Sequence, residues 1–243
     1  MNGGVVPISA TGIALSLLPL LAVGWLYHRW NGKGGLAVYA TLRMVVQLLL
    51  MGFVLVFIFA VESAWMAVPV VVFILAVSSW IALRPLEAKG WRRYGGILTA
   101  IGLSCGGMLV YVLYVIIGSE PLYQPRYFIP LAGMIFANAM TAISLAGERF
   151  DGERGRGMDI DAARSTAFNA AMIPQINAFL AVGLVSLPGM MTGQILAGVD
   201  PLLAIRYQIV VMAMIFGSAG LAVALYLTFE AKHQRSTAYP DIR

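Results

Sequence analysis

The chain is poor in charge and nearly devoid of cysteine. Only 11% of its 243 residues are Asp, Glu, Lys or Arg, against roughly 25% in soluble domains. Hydrophobic residues make up 60%, against roughly 45–50%. A soluble core does not need that much apolar surface, whereas a bilayer does. The expected fold class is therefore all-α, a polytopic integral membrane protein. The single cysteine, Cys105, excludes an intramolecular disulfide and a Cys-rich metal site. Between Ser104 and Gly106-Gly107 it reads as a packing residue. No G-x-x-x-x-G-K-S/T occurs, so ATP cannot be bound in the P-loop manner. H-E-x-x-H and G-x-S-x-G are missing too, which removes the common membrane hydrolase signatures. The chain is not expected to be an enzyme or to bind a cofactor itself. His28 and His233 fall at span ends and read as interfacial, so no metal ligand set can be named.

What is present is a series of long apolar runs. A helix needs about 20 apolar residues to cross a bilayer. Seven stretches qualify: 8–27, 36–60, 64–83, 95–118, 127–147, 172–188 and 207–230. No basic residue precedes Arg29, so the first reads as a retained span rather than a cleaved signal. Thirteen of the 16 Lys and Arg fall in alternate gaps, with Arg43, Arg126 and Arg206 left over. By the positive-inside rule that side is cytoplasmic, which puts the N-terminus outside and the C-terminus inside. The same pattern explains the net charge of +5 without any nucleic-acid partner. The largest hydrophilic gap, Glu148 to Asn169, is 22 residues, so residues 1–243 are expected to form one transmembrane domain. With Cys105 replaced, a cysteine at Gly3 should label from outside and one at Lys232 from inside. Labelling of both from one side would defeat that topology.

Three groups of residues are candidates for function. The gap GERFDGERGRG reads as a turn-rich surface loop. After it, Asp159 or Asp161 can cap a short helix whose apolar stripe holds Ala163, Ala167, Phe168, Ala171 and Met172. Together with Arg164, it is either an interfacial helix leading into the bilayer or a docking helix for a cytoplasmic partner, within a coupling segment of about 149–171. The second group is polar and lies inside spans, where unpaired burial is expensive. Arg43 and Gln47 share one face of the second span, where Arg43 can snorkel to the interface. Asn138, Thr141, Ser144 or Leu145, and Glu148 line the fifth, as interhelical hydrogen bonds or part of a translocation path. Small residues four apart, such as Gly102 with Gly106 and Ala213 with Gly217, let helices approach closely.

The third group interrupts the apolar run from Ser186 to Met212. Pro188, Gly189, Met190, Met191, Gly193 and Gln194 break the pattern before Asp200-Pro201 and Arg206. Proline removes a backbone donor, and broken backbone survives at membrane depth only where protein or water covers it. The segment is expected at the external end, as a moving gate with a Met plug or as a rigid exit turn. Adjacent methionines could ligate a soft metal, though packing is the simpler role.

Two stretches carry a family resemblance: RYFIPLAGMIFANAMTAISLAGE at 126–148 and SLPGMMTGQILAGVDPLLAIRYQIVVM at 186–212. With LRMVVQLLLMGFVL of the second span, they resemble FetB-type ABC transporter permeases. That family comprises bacterial iron-export permeases and plant relatives linked to aluminium tolerance. The resemblance implies a permease subunit in the bacterial inner membrane, exporting iron or a related metal or small substrate. It further implies a separate cytoplasmic ATPase holding ATP and Mg, and a second permease copy as a homodimer. The charged GERFDGERGRGMD departs from the Gly-Ala-Thr-type turn usual at this place, which touches docking geometry. The alternative is a self-sufficient carrier or channel driven by an ion gradient, with the polar stripe of the fifth span as its path.

Overall fold

The computed structural model describes residues 8–32, 34–60, 67–118 and 125–238. Lys33, Glu62, Glu120 and Arg243 of the charge pattern lie outside them, as does Gly3. Contacts group the chain into two units, residues 1–62 and 63–243.

The first unit holds α1 (Ala10–Ser16), α2 (Leu18–Asn31) and α3 (Gly34–Ala60). Ser9 caps α1 by accepting the Gly12 N–H at 3.1 Å. Helix α2 stops at Gly32, whose φ of 68° suits a residue without Cβ and whose N–H returns to the His28 carbonyl. The chain can then turn back, and α2 and α3 pack together. Leu21, Leu49 and Phe53 stay exposed, as side chains facing hydrocarbon would.

The second unit contains α4 (Ala67–Leu83), α5 (Trp91–Tyr111), α6 (Pro125–Gly155), α7 (Ile160–Ala181), α8 (Gly189–Leu196) and α9 (Pro201–Ala238). Helix α5 runs on into a π-helical turn, Val112–Ile116. Helices α6 and α9 form the centre; α5 and α7 pack against both, and α4 against α5 and α6. Ile101, Ile135, Phe136, Ile143 and Tyr226 fill the core. Ala139, Ala142 and Ala146 on α6 and Ala219 and Ala222 on α9 are fully buried or nearly so, the small side chains that let backbones close up.

The protein is thus polytopic and all-α, with no strand among the described residues beyond a single bridge between Val182 and Ser186. Among the described residues five helical segments are long and apolar enough to cross a membrane: Ala10–Trp30, Gly35–Val54, Trp91–Ile116, Phe128–Gly155 and Pro201–Ser236. Val68–Leu83 is a shorter apolar helix where the third span was expected.

Two local expectations fail. The stretch GERFDGERG is not a loop but the last turns of α6, and only the residues between Gly155 and Ile160 form the connection. Its glycines each cost about 1 kcal/mol in a helix. Full burial of Phe150 and the Arg149–Glu153 ion pair four residues apart offset that cost. The second failure concerns the boundary at residue 172. The expected docking helix and the first part of the expected sixth span are one 22-residue helix, α7, roughly 33 Å long. Pro174 lies inside it without ending it. The helix stops at Ala181, whose carbonyl accepts the N–H groups of Leu184, Val185 and Ser186, and Gly183 takes a φ of 83°. Residues 182–188 are therefore a turn rather than the end of a span.

Candidate functional site

Charged side chains of the second unit collect at one end, where α5 and α7 begin and α6 and α9 finish. Arg93 is the centre of this cluster and is 5% exposed. Its two terminal nitrogens donate to Asp151 of α6 at 2.9 and 2.6 Å, the bidentate geometry that suits guanidinium and carboxylate. Its Nε donates to the Tyr226 hydroxyl at 3.0 Å and lies 3.4 Å from Glu230, both on α9. The terminal nitrogen that bonds Asp151 at 2.9 Å also reaches the Ala88 carbonyl at 3.4 Å, in the connection before α5. Arg92 pairs with the other oxygen of Glu230 at 3.3 Å. Two cations thus face two carboxylates, and one guanidinium ties together α5, α6, α9 and the α4–α5 connection.

A second carboxylate cluster sits beside it. Glu153, 4% exposed, receives Arg149 at 2.7 Å and Arg156 at 3.2 Å. Arg154 donates to Gln234 of α9 at 2.7 Å and to the Met158 carbonyl. Arg235 of α9 pairs with Asp161 of α7, and Arg164 pairs with the same carboxylate at 3.3 Å. The exposed pairs contribute little individually, whereas the buried Arg93 pair is held because neither partner can be left alone in a low dielectric.

The cluster depends on close approach at Gly147. A Cβ there would lie 2.4 Å from Leu86 Cδ2 and 2.9 Å from the Tyr226 hydroxyl. Gly147→Ala should push the tyrosine off Arg93 and lower stability by roughly 1–3 kcal/mol. An unchanged thermal midpoint would show that Leu86 simply moves aside.

The expected coupling residues lie on the first turns of α7, at this same end. Asp159 is the N-cap, accepting the N–H groups of Asp161 at 2.9 Å and Ala162 at 3.4 Å, and these bonds hold its carboxyl below the usual range. Ala163 and Ala167 are fully buried in the chain's own core, and Phe168 is packed against it. The apolar stripe expected to meet a partner therefore faces inward. Asp161, Ala162, Ser165 and Asn169 form the exposed side.

The in-span polar residues of α6 bond within that helix or to α4. Asn138 donates to the Met134 carbonyl at 2.9 Å and Thr141 to that of Ala137 at 3.0 Å, both one turn back on α6. Ser144 bonds both Met140 and Ala82 of α4, and Glu148 is exposed. Arg43 and Gln47 stand on α3 in the first unit. At the end of the second unit opposite the charges, Pro188 is the N-cap of α8. Gly189, Met190, Met191, Gly193 and Gln194 are thus helical, not broken backbone. Met191 is buried, and Met190 packs on the core.

Sequence reasoning missed Arg93, Asp151, Glu153, Tyr226 and Glu230. A signal existed: Tyr226 and Glu230 are four apart, on one face, where the apolar run of α9 gives way to Lys232, His233, Gln234 and Arg235. Cys105 is fully buried with its Sγ 3.8 Å from the Ile135 carbonyl, a packing position. No group of three or more His, Cys, Asp or Glu among the described residues could hold a metal ion.

Comparison with known proteins adds what geometry does not. UPF0014 membrane protein slr1647 of Synechocystis is 32% identical over 241 residues, covering 90% of this chain and 93% of that protein. The probable iron export permease protein FetB of Escherichia coli is 34% identical over 215 residues, 79% of this chain and 81% of that one. Protein ALUMINUM SENSITIVE 3 of Arabidopsis thaliana is 31% identical over 221 residues, 85% and 80%. No solved structure matches the chain. The model of UPF0014, described as an uncharacterised protein family, matches residues 10–234, and with this all-α membrane architecture the chain belongs to that family.

Proposed function

We propose that the chain is the membrane-spanning permease subunit of an ATP-binding cassette transporter, exporting iron or a related metal or small substrate. The observation that carries this reading is the likeness to a probable iron export permease over 79% of the chain. Lacking a P-loop, the chain draws its energy from a separate cytoplasmic ATPase that holds ATP and Mg. A second copy completes the translocation path in the bacterial inner membrane, N-terminus out and C-terminus in. Thirteen alternating Lys and Arg support that orientation.

The ATPase meets the exposed side of α7 around Asp159, Asp161, Arg164 and Ser165. Arg235 links that helix to α9, and Arg93 links α9 to α5 and α6, so a push on α7 reaches three further helices through paired charges. Asn138, Thr141 and Glu148 on α6 supply polar surface to the path, and residues 188–194 gate its external end.

The test is co-expression with a P-loop ATPase, co-purification, and ATP hydrolysis stimulated by ferrous iron in liposomes. Ser165→Trp places a bulky group on the exposed face without entering the core, so ATPase recovery should fall at least tenfold while the permease folds normally. Phe168→Asp is the poorer probe, because Phe168 packs on the core and its loss would unfold the helix anyway. Undiminished recovery with Ser165→Trp would remove α7 as the docking element.

A further inference from the structure

We infer that the corner between α4 and α5 holds an anionic phospholipid, its phosphate at Lys89 and Arg84 and its acyl chains along α4. A cavity of about 380 Å³ lies there, lined by Trp80, Leu83, Lys89, Gly90, Trp91 and Tyr94. That volume is within the range of small-molecule pockets. Its aromatic walls are tied to both helices. The Tyr94 hydroxyl of α5 donates to the Ala76 carbonyl of α4 at 3.2 Å. Trp91 meets Tyr94 edge to face, with ring centres 5.8 Å apart.

Charge says what fills it. Lys89 is exposed and has no carboxylate partner among the described residues. Arg84 is exposed and equally without a carboxylate, its guanidinium carbon 6.0 Å from the centre of the Trp80 ring. That stacking uses the face of the guanidinium and not its N–H donors. Asp151 and Glu230 are taken up by Arg93 and Arg92, so exposed Glu87 is the local opposing charge. Position says that the anion comes from the bilayer. Phe73 and Trp80, seven apart on one face of α4, are 68% and 50% exposed, a surface for a hydrocarbon tail. Trp91 is 88% exposed where α5 begins, at the depth where Trp rings sit among headgroups. Basic pockets at the ends of transmembrane helices take anionic headgroups. The site rests on membrane insertion alone, so it stands or falls apart from ATPase docking and transport.

The probe is an equimolar mixture of phosphatidylglycerol and phosphatidylcholine with the same acyl chains. It is added to the delipidated full chain in neutral detergent, and native mass spectrometry counts the lipid retained. The wild type should retain phosphatidylglycerol about fivefold over phosphatidylcholine, the effect of one cation near a headgroup. Lys89→Glu should bring the two lipids to parity, whereas Lys232→Glu, the same charge change on α9, should not. Glu87→Gln should raise the preference, a gain that misfolding cannot imitate. Parity in the wild type, or equal losses from Lys89→Glu and Lys232→Glu, would mean unspecific attraction to net charge and would overturn the site. Displacement of the lipid by glycerol phosphate at equal concentration would make a soluble anion the occupant and overturn it too. If Lys89→Glu keeps the preference but loses the ATPase or a second copy on purification, the surface serves protein and the lipid site is wrong.

Discussion

Asp151→Ala should lower the thermal midpoint of the purified protein by roughly 6–12 °C. The mutation leaves the Arg93 guanidinium, 5% exposed, without its bidentate partner. Breaking a buried ion pair from one side costs about 3–5 kcal/mol, because a charge is then buried unpaired. Glu230 stays 3.4 Å from Arg93 but is shared with Arg92, so compensation is incomplete and the lower end, about 3 kcal/mol, applies. At about 2–4 °C per kcal/mol for a unit of this size, the stated shift follows. Two further variants separate charge from packing. Tyr226→Phe loses one hydroxyl partner and should cost only about 0.5–1.5 kcal/mol. Arg93→Met combined with Asp151→Leu removes both charges and should recover most of the loss. A wild-type midpoint in Asp151→Ala would mean that this end of the bundle admits water and the pair holds nothing together.

Gly189→Ala with Gly193→Ala should cut transport roughly five- to thirtyfold while leaving folding intact, if α8 is a gate that must unwind. Both glycines lie in a helix of 8 residues, and a Cβ at either meets nothing within 4 Å. Nothing steric therefore opposes the change. Each Gly→Ala in a helix adds roughly 0.5–1 kcal/mol, so the pair favours the helical state by about 1–2 kcal/mol. A population shift of about tenfold away from an unwound state corresponds to 1.4 kcal/mol. Transport by proteoliposomes carrying the ATPase decides the matter. An unchanged rate would identify α8 as a rigid cap on the end of the bundle.

The two readings differ in what they owe to sequence. Membrane insertion and helical class were legible because the bilayer imposes them on every span separately. Runs such as Ala10–Trp30 and Pro201–Ser236 are long and apolar whatever they pack against. The boundaries at 148–157 and at 172 depend on packing between segments. In 147–157 glycine and charge signal a turn when taken locally. In the folded chain Phe150 is buried, Asp151 and Glu153 find cationic partners, and the helix continues. Likewise Ala163 and Ala167 show helical spacing, but spacing alone cannot say which neighbour covers the stripe. The structure puts the chain's own core there.

By itself, then, the sequence determined that this protein lives in a bilayer as helices and carries no P-loop. These follow from composition and short-range pattern, which act on each segment alone. Only the tertiary structure decided that Arg93 joins Asp151, Tyr226 and Glu230, residues 58, 133 and 137 positions away in the chain. It also turned residues 189–196 into a helix. Pairings at such separations leave no periodic trace, because the low dielectric that makes them necessary exists only after the helices have packed.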